Sequence, residues 1–235
     1  MIKADVYSKI TETNLVESEL DMSKFEYYHR YMKLHNNKFM QPTTLKIDID
    51  DFTKEIVEYH PHFRHWGNNR LYLPRFGISL VNLDGDIHGE VDPACGALDI
   101  WNRTAKKKLI EKDFITKTEV YNLPSLSVLK PLDDIIIRSS ILLWHEGANV
   151  LPHIDVEPLP NCNLRLWGTN NPSGYVFGYA GELIGKVEPG RLYLCDTSVF
   201  HWAKAKVDWL YTFFIALSPT NESFEWAENN ILNVN

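Results

Sequence analysis

Ile135-Ile-Ile-Arg-Ser-Ser-Ile-Leu-Leu143, the turn Gly147-Ala-Asn-Val-Leu-Pro152 and the adjoining His153-Ile154-Asp155 decide how this chain reads. The first run is apolar and β-branched, as strands are, and the glycine- and proline-bearing stretch brings the chain back into the triplet. Residues two apart on an extended strand share a face, so one strand end presents His153 and Asp155 together. His201 follows Asp196-Thr-Ser-Val-Phe, between the β-rich runs Arg191-Leu-Tyr-Leu-Cys195 and Leu210-Tyr-Thr-Phe-Phe-Ile-Ala-Leu217. All three side chains thus fall at strand ends, where a β-sandwich or barrel opens its mouth. Two imidazoles and one carboxylate on one side of an iron leave the other side open, which is the donor set of oxygen-activating non-haem Fe(II) sites. The competing reading is a structural His153–Asp155 hydrogen-bonded pair with His201 an ordinary strand-end histidine. A rival pair with the same spacing, His88-Gly89-Glu90, lies among Asp84-Gly-Asp86 and Asp92-Pro93 and reads as a polar turn.

His145-Glu-Gly-Ala-Asn-Val-Leu-Pro-His153, Pro160-Asn-Cys-Asn-Leu-Arg165-Leu-Trp and Glu188-Pro-Gly-Arg-Leu-Tyr-Leu-Cys-Asp196-Thr-Ser-Val-Phe-His201 together resemble the catalytic domain of the aspartyl/asparaginyl β-hydroxylase family. The resemblance covers roughly residues 130–218. It implies a mainly β fold, a double-stranded β-helix (jelly roll, cupin-like), and an iron dioxygenase that consumes 2-oxoglutarate and O2 and releases succinate and CO2. On that reading His153, Asp155 and His201 ligate Fe(II), and the substrate is an amino acid or an Asp/Asn-type peptidyl residue. Two departures stand out. Members of this family often have glycine where this chain has Asp155, so here the ligand triad is complete. They usually carry an arginine ten residues after the distal histidine, and this chain has Tyr211 there.

A dianionic cosubstrate taken out of water still needs a cation. Arg165 is the candidate, because alternation along Asn163-Leu-Arg-Leu-Trp167 puts Asn163, Arg165 and Trp167 on one face and because the family has a cosubstrate-contacting arginine there. Tyr211 can add a hydroxyl to the same carboxylate. Lys204 and Lys206 are fallback cations in an expected loop after His201. The alternative function is a cupin-like metal-binding protein without oxygenase turnover, for which the absent distal arginine speaks.

The chain's 235 residues, 44% of them apolar and 12% aromatic, suffice for one domain with a substantial core. A formal charge of -7 and a pI near 5.7 offer no broad basic surface for nucleic acid. Lys106-Lys-Lys108, with Asp99, Glu111 and Asp113 nearby, reads as a solvated helix face. Cys95, Cys162 and Cys195 match no zinc spacing and read as free thiols. The first residues lack the apolar stretch of a signal peptide and no segment reads as membrane-spanning, so a cytoplasmic protein without a membrane partner is expected.

The two halves read differently within one expected domain. Residues 1–70 carry helical signals in Ser18–Leu34 and from Ile47 onward, and are expected to buttress a sheet. Residues 71–130 supply strands at Leu71-Tyr-Leu and Phe76–Asn82 and the loops beside the site, and 131–218 form the metal-binding jelly roll. His65-Trp66, Arg70 and Pro74-Arg75 offer rings and cations for substrate contact, while Trp101 reads as core.

Overall fold

The computed structural model describes residues 22–36, 38–66, 74–87, 97–155, 163–179, 182–183 and 186–232. Two antiparallel sheets face each other. The larger contains, in spatial order, β1 (Met40–Lys46), β10 (Arg191–Cys195), β7 (Leu164–Thr169), β12 (Leu210–Leu217), β5 (Ile136–Trp144), β3 (Arg75–Asn82) and β2 (Arg64–His65), with β4 (Thr116–Lys117) paired to β3. The smaller runs β6 (Asn149–His153), β11 (His201–Ala205), β8 (Tyr175–Tyr179), β9 (Glu182–Leu183). From β5 to β12 the chain passes back and forth between the two sheets, with only the β8–β9 hairpin staying in one, which is the winding of a jelly roll.

Strict alternation gives the large sheet two working faces. On β12, Tyr211, Phe213, Ile215 and Leu217 pack outward with Leu164, Leu166 and the helical elements, while Leu210 and Phe214 face the smaller sheet. Helix α1 (Met22–His35), α2 (Ile49–Ile56) and the 3-10 turn Pro124–Leu132 cover the outer face, as expected of a helical buttress. Asp48 caps α2 by accepting the Asp51 N–H at 3.1 Å. Phe52, with no exposed surface, is driven edge-on against Phe213 (4.9 Å) and Tyr211 (5.5 Å). Helix α4 (Asn221–Asn230) lies beside α1, where Arg30 reaches Glu228.

Between the sheets the filling is aromatic. Trp144 meets Tyr175 edge-on at 5.4 Å, and Trp167 stacks on Tyr175 at 5.2 Å and lies tilted against Phe177 at 4.9 Å. Gly178 on β8 is glycine because the Trp202 indole of the neighbouring strand occupies the space a Cβ would take.

Two local expectations need correction. The N-terminal buttress also contributes a strand, since β1 pairs with β10 in the large sheet. Pro42 is tolerated because β1 is an edge strand, where its missing N–H breaks no ladder, and its carbonyl accepts the Leu232 N–H at 2.8 Å on the outer side beside the Thr43–Ile231 bridge. Lys106–Lys108 are exposed but lie beyond α3 (Ala97–Thr104), in an irregular stretch where Asn102 ties back to Leu109. Leu71–Leu73 and Ser18–Asp21 fall outside the described residues. No helix among the described residues is long and apolar enough to cross a membrane.

Candidate metal centre

His153 ends β6 and His201 begins β11, and the two are direct partners across the antiparallel pair. Their rings lie 4.4 Å apart, centroid to centroid. Asp155 follows two residues after His153, its N–H held at 3.1 Å by the Thr197 carbonyl from the loop that leads into His201. The carboxylate bridges both imidazoles, with Oδ1 2.8 Å from His153 Nε2 and Oδ2 3.4 Å from His201 Nε2. One ligand atom from each residue lies within 4.8 Å of the others, the only such set among the described residues.

The rings are aimed by the backbone. His153 Nδ1–H donates to the Leu151 carbonyl at 2.8 Å, and His201 Nδ1–H donates to the Val199 carbonyl at 2.9 Å. Both bonds run to the residue two positions back and fix the tautomer in which Nε2 carries the lone pair. Burial works against charge on Asp155, but hydrogen bonds and charge from His153 and His201 outweigh it and hold the carboxyl well below the usual range. Burial likewise lowers His153, while Asp155 raises it further than burial and the Arg75 charge lower it, for a net rise. A divalent ion held here would bind the Nε2 lone pairs and the carboxylate, replacing the direct contacts between them.

The triad opens on a cavity of about 750 Å3 between the sheets. Its wall carries guanidinium groups at two ends. Arg75, 5% exposed, lies over the Trp144 ring at 5.1 Å, and its charge reaches both His153 and Tyr175. Arg165 faces the cavity with Asn163 and Trp167, as alternation predicts, and is engaged by Glu111 at 2.5 Å. One polar atom on the wall, Thr197 Oγ1, is buried without a hydrogen-bond partner. Such an orphaned group suits a polar ligand.

Other expected residues lie elsewhere. Tyr211 is on the outer face of β12, its hydroxyl 2.5 Å from His60 Nε2 and its acidity suppressed to about 12 by burial, so it does not reach the cavity. The parity of β12 is the cause, because even-numbered residues point inward there. Lys204 is an exposed residue of β11 rather than of a loop, and Lys206 is exposed just past its end. Cys195 is a buried free thiol; Cys95, Cys162 and the rival pair His88 and Glu90 lie outside the described residues. Trp101 packs against the small cluster of Leu109 and Phe114. Sequence reading placed Arg75 with the substrate loops. A charged side chain at an inward position of a strand was the signal for a deeper role.

No family model matches the sequence, and no curated protein does. Solved structures similar to this chain include a 2OG-Fe(II) oxygenase family oxidoreductase from Burkholderia pseudomallei, at 10% identity and TM-score 0.42 over 83% of this chain and 91% of that one. The alpha-ketoglutarate-dependent non-heme epimerase SnoN from nogalamycin biosynthesis aligns at 10% identity and TM-score 0.45, covering 82% of this chain and 81% of its own. A Pseudomonas putida prolyl-4-hydroxylase aligns at 10% identity and TM-score 0.42, covering 82% and 97%.

Proposed function

We propose that this protein is an Fe(II)- and 2-oxoglutarate-dependent dioxygenase that oxidises a small substrate, an amino acid or an amino-acid residue. The observation that carries the reading is the His153–Asp155–His201 triad, whose Nε2 and carboxylate atoms converge at the mouth of a jelly roll. The neutral nitrogens, the single carboxylate and the one-sided arrangement suit ferrous iron. Bound there, iron with 2-oxoglutarate and dioxygen supplies the oxidation of a C–H bond, with succinate and CO2 as coproducts.

The chain's own residues bind and orient. The Leu151 and Val199 carbonyls hold the two imidazoles in ligating orientation, and Thr197 holds Asp155. Arg75 is the group we assign to the far carboxylate of 2-oxoglutarate. It is the guanidinium on the Trp144 side of the cavity, beside Tyr175, where the aromatic filling excludes water and strengthens an ion pair. The cosubstrate role expected of Arg165 on β7 is assigned instead to Arg75 on β3 of the same sheet, because Arg165 is engaged by Glu111. Tyr175, whose hydroxyl burial keeps protonated, remains a donor there.

The test is spectroscopic and chemical. Anaerobic Fe(II) plus 2-oxoglutarate should give a visible charge-transfer band, and succinate should accumulate on admitting air. His153→Ala and Asp155→Ala should abolish both. Arg75→Met should raise the 2-oxoglutarate concentration needed for the band while leaving Mn(II) affinity within about threefold, since guanidinium and metal act on different ends of the cosubstrate. Metal binding without the band or succinate would instead establish the non-catalytic cupin-like reading, and wild-type turnover by His153→Ala would end the site assignment.

A further inference from the structure

The cavity has a second charged end that the cosubstrate reading leaves unused. Glu111, from the 3-10 turn Glu111–Asp113, projects onto the wall and receives Asn163 Nδ2 at 2.6 Å and Arg165 at 2.5 Å, with Arg138 Nη1 3.8 Å from its other oxygen. Burial would push this carboxyl up, but Arg165, Arg138 and Asn163 outweigh it and hold it below its usual value, so it is ionised. Each of the three charged side chains retains some exposure to the cavity, between 16% and 22%.

Register places this cluster far from Arg75. Arg75 pairs with Trp144 at one end of β5, whereas Arg165 lies opposite Ala216, which pairs with Ile137 at the other end, next to Arg138. Six residues of strand separate Arg138 from Trp144, roughly 20 Å along the sheet. The cluster and the triad line the same cavity and are joined by a short stretch of chain: Arg165 pairs with Cys195, and two residues later Thr197 holds Asp155. A cosubstrate stretched from the metal toward Arg75 leaves this end clear for a second molecule.

Resting on the dioxygenase reading, we propose that Arg138, Glu111 and Arg165 form the subsite for the primary substrate, and that this substrate is a free α-amino acid bound by its zwitterionic head. The cluster offers a partner of opposite sign to each end of that head, whereas a simple carboxylate would leave Glu111 unused and a simple amine the guanidinium pair. Two guanidinium groups take the carboxylate in the fork geometry suited to it, and Glu111 takes the ammonium, so each charge of the head meets an opposite one. A residue inside a peptide has neither charge and would leave the three side chains to pair among themselves. Glu111 thus engages Arg165 until substrate arrives and then shares it.

The decisive comparison needs no variant. The full chain, loaded with Mn(II) and 2-oxoglutarate so that it binds without turning over, is titrated with the twenty common amino acids, following line broadening of their proton resonances by the Mn(II). At least one should bind, and its N-acetyl and methyl ester derivatives should each bind about tenfold more weakly or worse, the loss expected when one ionic contact goes unmade. Glu111→Gln should weaken the free amino acid and leave the N-acetyl form unchanged; Arg165→Gln should weaken the free acid and leave the ester unchanged. Binding of free and capped forms alike, binding of none of the twenty, or variants that shift 2-oxoglutarate affinity instead would overturn the assignment. Failure of Mn(II) or 2-oxoglutarate to bind at the outset, visible before any amino acid is added, would refute the dioxygenase reading and this subsite with it.

Discussion

Replacing Tyr31 by phenylalanine removes one oxygen that touches none of the triad residues and should loosen the proposed metal centre. Tyr31 is a buried residue of α1 whose hydroxyl donates to Asp196 Oδ1 at 2.9 Å; burial and the Asp196 charge keep it protonated. Asp196 also accepts from Ser198 N (3.1 Å) and Ser198 Oγ (2.5 Å), and its own N–H bonds to Phe39. The next residues carry the Thr197 carbonyl that holds Asp155 and the Val199 carbonyl that aims His201. A hydrogen bond to a charged acceptor contributes roughly 1.5–3 kcal/mol, and because Ser198 stays in place the loss should be about 2 kcal/mol. For a chain of this size that lowers Tm by about 4–8 °C. Groups that support ligands typically weaken metal binding by about 10–100-fold when lost, and one step further out about 3–10-fold is expected. Thermal unfolding with and without Mn(II), together with a Mn(II) titration, reads both quantities. Phe52→Ala is the control: it should cost about 3–5 kcal/mol on the outer face and leave Mn(II) affinity unchanged. Unaltered Mn(II) affinity in Tyr31→Phe, or an equal loss in Phe52→Ala, would refute the proposed link between helix and metal loop.

Stability should also depend on mild acid through His35. Its ring is 1% exposed against Tyr31, and burial, opposed by the Asp196 charge and the Lys38 backbone, pushes its pKa down from 6.5 to about 4. The folded protein therefore binds fewer protons than the unfolded chain between those values, so stability should fall by about 3 kcal/mol as pH drops from about 6.5 to about 4. Urea unfolding at several pH values checks this, and the slope should flatten in His35→Leu. Gly178→Val should destabilise by about 1–3 kcal/mol by displacing the Trp202 indole, and adding Trp202→Ala should restore part of the loss in a double-mutant cycle.

Much of the jelly roll was legible because its strands announce themselves: Ile135–Leu143, Arg191–Cys195 and Leu210–Leu217 lie within a residue of the observed β5, β10 and β12. The proximity of His153 and Asp155 was legible from their spacing, although Asp155 sits in the bend just past β6, and His201 joins them only across the β6–β11 pair. Pairing across strands is not written locally. Nothing around Met40–Lys46 says that it joins β10, and Pro42 argues against a strand until its edge position is known. Tyr211 was misplaced because a family offset counts residues, whereas the face depends on parity within the strand. Arg75 escaped because its proximity to His153 arises only when β3 is laid beside β5 and the second sheet folds over both.

His153 and His201 belong to one sheet and Arg75 to the other, so on the proposed reading the span offered to a diacid is set by the rings wedged between them, Trp144, Trp167, Tyr175 and Phe177. That layer would then act as a gauge of chain length. Trimming it, as in Trp167→Phe, should shift the preference between 2-oxoglutarate and its one-carbon homologue 2-oxoadipate in coupled succinate or glutarate release, with no ligand or anchor replaced.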